Sequence, residues 1–247
     1  MSSYSDGTMH SSDKFYLNIP DNDDSAADLI KKGEKLEKVG SDLICHSPIY
    51  CHMLRINPSM CDLQYWMFYP NDVPVGWFDS DMGAHEGDWE HVSVRLHWPE
   101  SYPEDGSKID PMDQAAFSAI YGSAHSGEGS WNDKPTWESC GDGILRPAIY
   151  AAQGTHANYS TLGDDGTINR AFSDDYVSKT GAYWETANNV VQITWSADLP
   201  DNLAWLGFNG RWGATRDKIK VSSPTGPAMK SQFTKGDPTN PMVPKSG

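Results

Sequence analysis

The 247-residue sequence has no apolar run approaching the roughly 18 to 20 residues of a membrane-spanning helix. Its start, Met1-Ser-Ser-Tyr-Ser-Asp-Gly7, lacks both a basic segment and an apolar segment, so no secretory signal is read there. A cytoplasmic location is expected, or a secreted one if a leader was trimmed. Cysteine is sparse: Cys45, Cys51, Cys61 and Cys140, with no CxxC pair. That argues against a zinc ribbon or a thioredoxin-like site and fits buried thiols in a reducing compartment. A bridge from Cys45 or Cys51 to Cys61 is the exception kept open. Basic residues are also few, 19 against 34 acidic, for a net charge of −15. Charge alone therefore cannot hold a phosphate backbone or an anionic lipid surface, and nucleic acid is not an expected partner. Cations, neutral ligands and basic partners remain. Missing too are heptads, internal repeats, a Gly-rich phosphate loop, a GxSxG elbow, HExxH and a basic–aromatic stripe.

What the sequence does have is 10 Trp, 22 Gly and 16 Pro, a composition suited to a β-rich domain with many turns. One helix is predicted, from Ser25 to Gly40, with Ser25 as its cap and Gly40 as its stop. Short apolar runs follow: Leu63–Tyr69, His91–His97, Ala116–Tyr121, Pro147–Ala152, Val190–Trp195 and Leu203–Phe208. Turn residues separate them, including Pro70-Asn-Asp72, Gly163-Asp-Asp-Gly166 and Asn209-Gly210. Strands without alternating helices predict an all-β fold, a single jelly-roll-like β-sandwich with one N-terminal helix and an irregular C-terminal tail. The expected organisation is an extended arm over 1–24, the sandwich with its leading helix over 25–222, and a Pro/Gly/Ser-rich tail over 223–247.

Chemistry concentrates in Asp79-Ser-Asp81-Met-Gly-Ala-His85-Glu86-Gly-Asp88-Trp-Glu90-His91. If Asp88 to Leu96 is one strand, Asp88 and Glu90 share a face with Val92, Val94 and Leu96. A carboxylate facing a core must be paired, protonated or bound to a cation. Two on one strand lie about 7 Å apart and can converge on one ion. Gly83 and Gly87 let the chain turn so that His85 and an upstream acid, Asp79 or Asp81, join them. Oxygen-rich ligands with one His favour Mg²⁺, Ca²⁺ or Mn²⁺, with Fe²⁺ behind them, over structural zinc. The bland alternative is an acidic loop whose carboxylates bind backbone N–H groups or an Arg.

Two more segments draw notice. In Tyr150-Ala-Ala-Gln-Gly-Thr-His156-Ala-Asn-Tyr159 an apolar strand ends at Gly154 and His156 follows, a candidate ligand or acid/base at the rim. It is expected near the acidic site despite its distance in sequence. Asn158-Tyr-Ser160 matches a glycosylation sequon, read as chance. In Phe208-Asn-Gly-Arg211-Trp-Gly213, Arg211 is either a partner for Asp88 or Glu90 or an anion clamp, while Asn209-Gly210 reads more simply as a hairpin turn.

Tyr65-Trp-Met-Phe-Tyr-Pro-Asn71, His85-Glu-Gly-Asp-Trp-Glu-His-Val92, Tyr150–Tyr159, Gly210-Arg-Trp-Gly213 and Ser223-Pro-Thr-Gly-Pro227 together resemble the vacuolar protein sorting-associated protein 62 family, from about Ile44 to Pro227. More distantly, Tyr69-Pro-Asn-Asp72 and His85–Glu90 are similar to the necrosis- and ethylene-inducing peptide-like cytolysins. That resemblance implies a β-sandwich that binds a divalent cation and sugar headgroups, with His85, Asp88 and Glu90 as ligands and Asp79 or Asp81 as the further acid. Glu86 and Gly87 stand where those cytolysins have Arg and His, so metal binding is implied more strongly than cytolysis.

Two functions are expected from these residues. The first is a divalent-cation-binding module for a glycan, lipid headgroup or small polar metabolite. The second is an enzyme of hydrolase, lyase or isomerase type, with the same ligands, His156 or Glu86 as acid/base and Arg211 clamping an anion.

Overall fold

The computed structural model describes residues 44–73, 84–97, 116–124, 129–139, 142–162, 166–168, 175–196, 198–213 and 223–237. The predicted helix over 25–40 lies outside them, as do Asp79, Asp81 and Cys140. The described chain is mainly β. Its centre is a six-stranded sheet in the order β12-β1-β2-β3-β4-β5. The strands are β1 (Ile49–Asn57), β2 (Met60–Asp72), β3 (His85–His97), β4 (Ala116–Gly122), β5 (Ser130–Asn132) and β12 (Val190–Ile193). Neighbours pair antiparallel, except that β12 joins the β1 edge in parallel. Three two-stranded ribbons complete the strands. They are β6 (Trp137–Glu138) with β7 (Arg146–Pro147), β8 (Tyr150–Ala151) with β9 (Asn158–Tyr159), and β10 (Thr167–Ile168) with β11 (Asp175–Tyr176).

Alternation along β2 and β3 sends side chains to two faces, and both are covered. On one face Val92 meets Ile49, Met67 and Ile120, with Tyr65, Tyr69 and Val94 beside them. On the other, Trp66 and Trp89 pack with Ile193, Leu203, Leu206 and Phe233. Polar residues among the second set are therefore buried too, and each finds a partner. Arg95 meets Asp62 in a bidentate pair of 2.7 Å bonds and lies 4.2 Å from the Trp131 ring centre. His91 and Ser93 both bond the carboxylate of Asp237.

Several elements differ from the sequence reading. Leu203–Phe208 is not a strand: residues 201–207 form a 3₁₀ helix that turns Leu203 and Leu206 onto the sheet. Pro147–Ala152 is not a central strand either: Pro147 pairs in the β6–β7 ribbon, and Tyr150 and Ala151 pair in the β8–β9 ribbon. The turn predicted at Pro70–Asp72 is instead the end of β2. The Pro/Gly/Ser-rich tail is no mere surface wrap over its described part, because Phe233 on the short helix Ser231–Lys235 is 1% exposed within the core. Cys45, Cys51 and Cys61 are free thiols.

Candidate metal centre

β2 and β3 run side by side to their far ends, where Tyr69 faces Asp88, Asn71 faces Glu86 and Asp72 faces His85. Between these pairs Pro70 has no N–H to give and Gly87 adopts φ 62°. A Cβ at Gly87 would stand 1.6 Å from the Trp212 carbonyl oxygen. Only glycine fits there, and the turn it makes breaks the strict alternation. As a result one ligand atom each from Asp72, His85 and Asp88 lies within 4.8 Å of the others. Two oxygens on opposite sides of a Ca²⁺ are separated by about 5 Å, so one ion can touch all three.

The electrostatics of this cluster are costly without a cation. Asp88 is 5% exposed. The Asp72 carboxyl is pushed up to about 9, first by burial and then by the charges of Asp88, Glu90 and Asp175. Burial, with Asp88 beside it, pushes Glu90 up to about 8, against the pull of Lys230 and of bonds from Ser123 and Asn158. The Tyr69 hydroxyl is also raised, by burial and by Asp88 and Glu90. Asp72 Oδ1 is enclosed and has no hydrogen-bond partner among the described residues.

His85 is set in the tautomer that a ligand needs. Its Nδ1 lies 3.0 Å from the Gly87 carbonyl, which only accepts, so Nδ1 carries the proton. The lone pair of the neutral ring is then on Nε2, 3.5 Å from Asp72 Oδ2. Two acceptors facing one another require a second proton or a cation between them.

His156 arrives from the loop that follows β8. Gly154 has φ 82°, and His156 itself holds φ 56°, the one non-glycine residue with positive φ among those described. Its ring stacks on Tyr69 at 3.8 Å and 8°, and its Nδ1 lies 3.1 Å from Asp88 Oδ2. The expected approach of His156 to the acidic strand is thus observed. β9 sits against β4 because Gly122 has no side chain; a Cβ there would stand 2.2 Å from the Asn158 carbonyl oxygen. Asn158 Nδ2 reaches Glu90 Oε2 at 3.4 Å, and Ser123 Oγ donates to the same oxygen. A side chain so enclosed is no glycan acceptor, in keeping with the sequon arising by chance.

The remaining candidates divide. Asp88, His85 and His156 come together, and Glu90 lies beside them. The three ligand atoms in mutual reach do not include Glu90, whose carboxyl is held by Ser123 and Asn158. Glu86 is buried on β3 opposite Asn71. Arg211 Nη1 donates to the Ser223 carbonyl, and Arg211 bridges Thr225 in antiparallel fashion. Sequence reasoning missed Asp72, Tyr69, Ser123, Asp175 and Lys230. The first was read as a turn residue because Pro70 precedes it. A signal existed, since Asp72 is an acid in the same extended phase as a chain of aromatics. Asp175 had none: it is gathered by Thr155 at 3.0 Å and by the Tyr159 hydroxyl across the ribbons.

Comparison with known proteins places the chain. The family model described as vacuolar protein sorting-associated protein 62 matches residues 5–222. "Putative vacuolar protein sorting-associated protein TDA6" of Saccharomyces cerevisiae is 28% identical over 174 residues, covering 62% of this chain and 35% of that protein. "Vacuolar protein sorting-associated protein 62" of the same yeast is 25% identical over 227 residues, covering 82% and 44%. The matches thus span less than half the length of these relatives. A solved structure described as "Toxin fold for microbial attack and plant defense" is 18% identical, with a TM-score of 0.33 over 59% of this chain and 51% of that one. With the family model matched over most of its length, the chain belongs to the vacuolar protein sorting-associated protein 62 family.

Proposed function

We propose that this protein binds a divalent cation through Asp72, His85 and Asp88 and uses it to recognise a glycan, a lipid headgroup or a small polar metabolite. The observation that carries the reading is the meeting of Asp72, His85 and Asp88, with the enclosed Oδ1 of Asp72 lacking a hydrogen-bond partner among the described residues. Such an atom costs about 1–3 kcal/mol unless something satisfies it. The donor set of two carboxylates and one imidazole suits Mg²⁺, Ca²⁺ or Mn²⁺. Three protein ligands leave positions on such an ion that oxygens of a polyol or an anionic headgroup can fill. In this reading the fold is a jelly-roll-like β-sandwich with the six-stranded sheet as one layer, and the site opens at one end of it.

Elemental analysis of the purified protein, with thermal melts in chelator and in Mg²⁺, Ca²⁺ or Mn²⁺, tests the reading. Cation at about a hundred times its dissociation constant contributes roughly 2.7 kcal/mol. For a chain of this size that raises Tm by about 5–10 °C. Asp72→Asn and Asp88→Asn should lose that rise. A wild-type protein indifferent to all three cations would overturn the reading.

A second reading is favoured by one observation, the Asp88–His156 contact. A carboxylate on Nδ1 fixes the tautomer and leaves the Nε2 lone pair as a base, the arrangement of a metal-assisted or acid/base enzyme. Turnover that His156→Gln abolishes while cation binding persists would select this reading over the first.

A further inference from the structure

We propose that Lys230 is a resident counter-charge of the acidic site, so that divalent-cation binding and docking of the C-terminal segment oppose each other. The proposal rests on the cation reading above. β4 ends at Gly122, and beyond it Ser123 continues the contact with β3: its N–H donates to the His91 carbonyl, and its Oγ accepts from His91 N–H. Trp89, two residues along, presents its carbonyl to the same side. The Lys230 ammonium donates to that carbonyl and stands 5.8 Å from the centre of the Trp66 ring. An ammonium is thus held on the backbone of the residue that lies between Asp88 and Glu90.

Lys230 is not a surface lysine that happens to pass. The segment behind it is pinned by Phe233 in the core, by Gln64 Nε2 donating to the Gln232 carbonyl at 2.6 Å, and by Asp237 held by His91 and Ser93. The family match ends at residue 222, so this counter-charge comes from chain outside it. A divalent ion among Asp72, His85 and Asp88 would sit on the same strand end as a half-buried ammonium, and like charges incompletely screened by water repel. By reciprocity, whatever Lys230 does to the ion's affinity, the ion does to the docking of Lys230.

Titration of the full chain with Mn²⁺ at low ionic strength tests this in wild type, Lys230→Met and Lys230→Arg. Met keeps the aliphatic stem over Trp66 and removes the charge; Arg keeps the charge. The expected result is binding about tenfold tighter in Lys230→Met and near wild type in Lys230→Arg. Damage to the site would loosen binding, so tightening is a signature that a structural role does not give. Equal or weaker binding in Lys230→Met overturns the proposal alone, while a wild type that binds no Mn²⁺ overturns the cation reading beneath it. Should Lys230→Met not fold, hydrogen exchange of wild-type amides over 231–236 decides. Faster exchange with Mn²⁺ supports the coupling, and unchanged or slower exchange overturns it.

Discussion

Gly87 and His156 both hold positive φ, but for opposite reasons. At Gly87 the backbone of Trp212 leaves no room for a Cβ, so the residue answers to space. Gly87→Ala should cost about 1–2 kcal/mol from conformation alone, before the clash is counted. Urea unfolding would read it, and cation binding should fall with it because the turn that brings Asp88 to Asp72 is lost. At His156 the side chain earns nothing from the backbone. It is held there by the Tyr69 stack and the bond to Asp88. Strain of that kind persists where surroundings over-determine it and marks functional positions. Asn tolerates the left-handed region and Val does not. His156→Asn should therefore melt close to wild type while His156→Val falls well below it, by about 1–3 kcal/mol. Equal losses in the two would show that the backbone is not strained as described.

At the scale of elements, β3 was readable and the C-terminal segment was not. Asp88 and Glu90 share a phase with Val92 and Val94, and alternation with a period of two survives any tertiary setting that keeps the strand. Leu203–Phe208 has the same apolar texture yet forms a 3₁₀ helix, because a short apolar run fixes burial and not conformation. Pro70 misled for a local reason: proline usually ends a strand, but opposite Gly87 no ladder bond is needed. The joining of Asp72, Asp175 and Lys230 to one neighbourhood depends on how the ribbons and tail dock, which no local pattern encodes. Phe233 shows how much one docked side chain carries. It stacks on His52 at 3.9 Å and 6° and tilts against Trp66 at 6.0 Å. Phe233→Ala should cost about 3–5 kcal/mol, measured by denaturant midpoint. Loss near zero would mean that the segment is not part of the cooperative unit.

For the molecule as a whole the acidic cluster sets the response to pH. Ordinary carboxyls lose their protons near pH 4, whereas those of Asp72 and Glu90 keep theirs to about 9 and about 8 in the fold. Across that window the unfolded chain binds fewer protons than the folded one, so stability in chelator falls as pH rises. A cation takes the place of the protons, and its stabilising effect should grow over the same window. Melts at about pH 5, 7 and 8.5, with chelator and with Mg²⁺, would show curves that diverge upward in pH; parallel curves would sink the prediction. The position of the C-terminal segment bears on how the chain is made. Gln64, His91 and Ser93 meet partners 144 to 168 residues later in the sequence. On the ribosome, where residues emerge in order, the Trp66 and Trp89 face of β1 to β3 must wait for its Phe233 cover until that residue has been synthesised. Nascent chains halted before Phe233 should therefore be held by chaperones, and folding should follow release as a late, closing event.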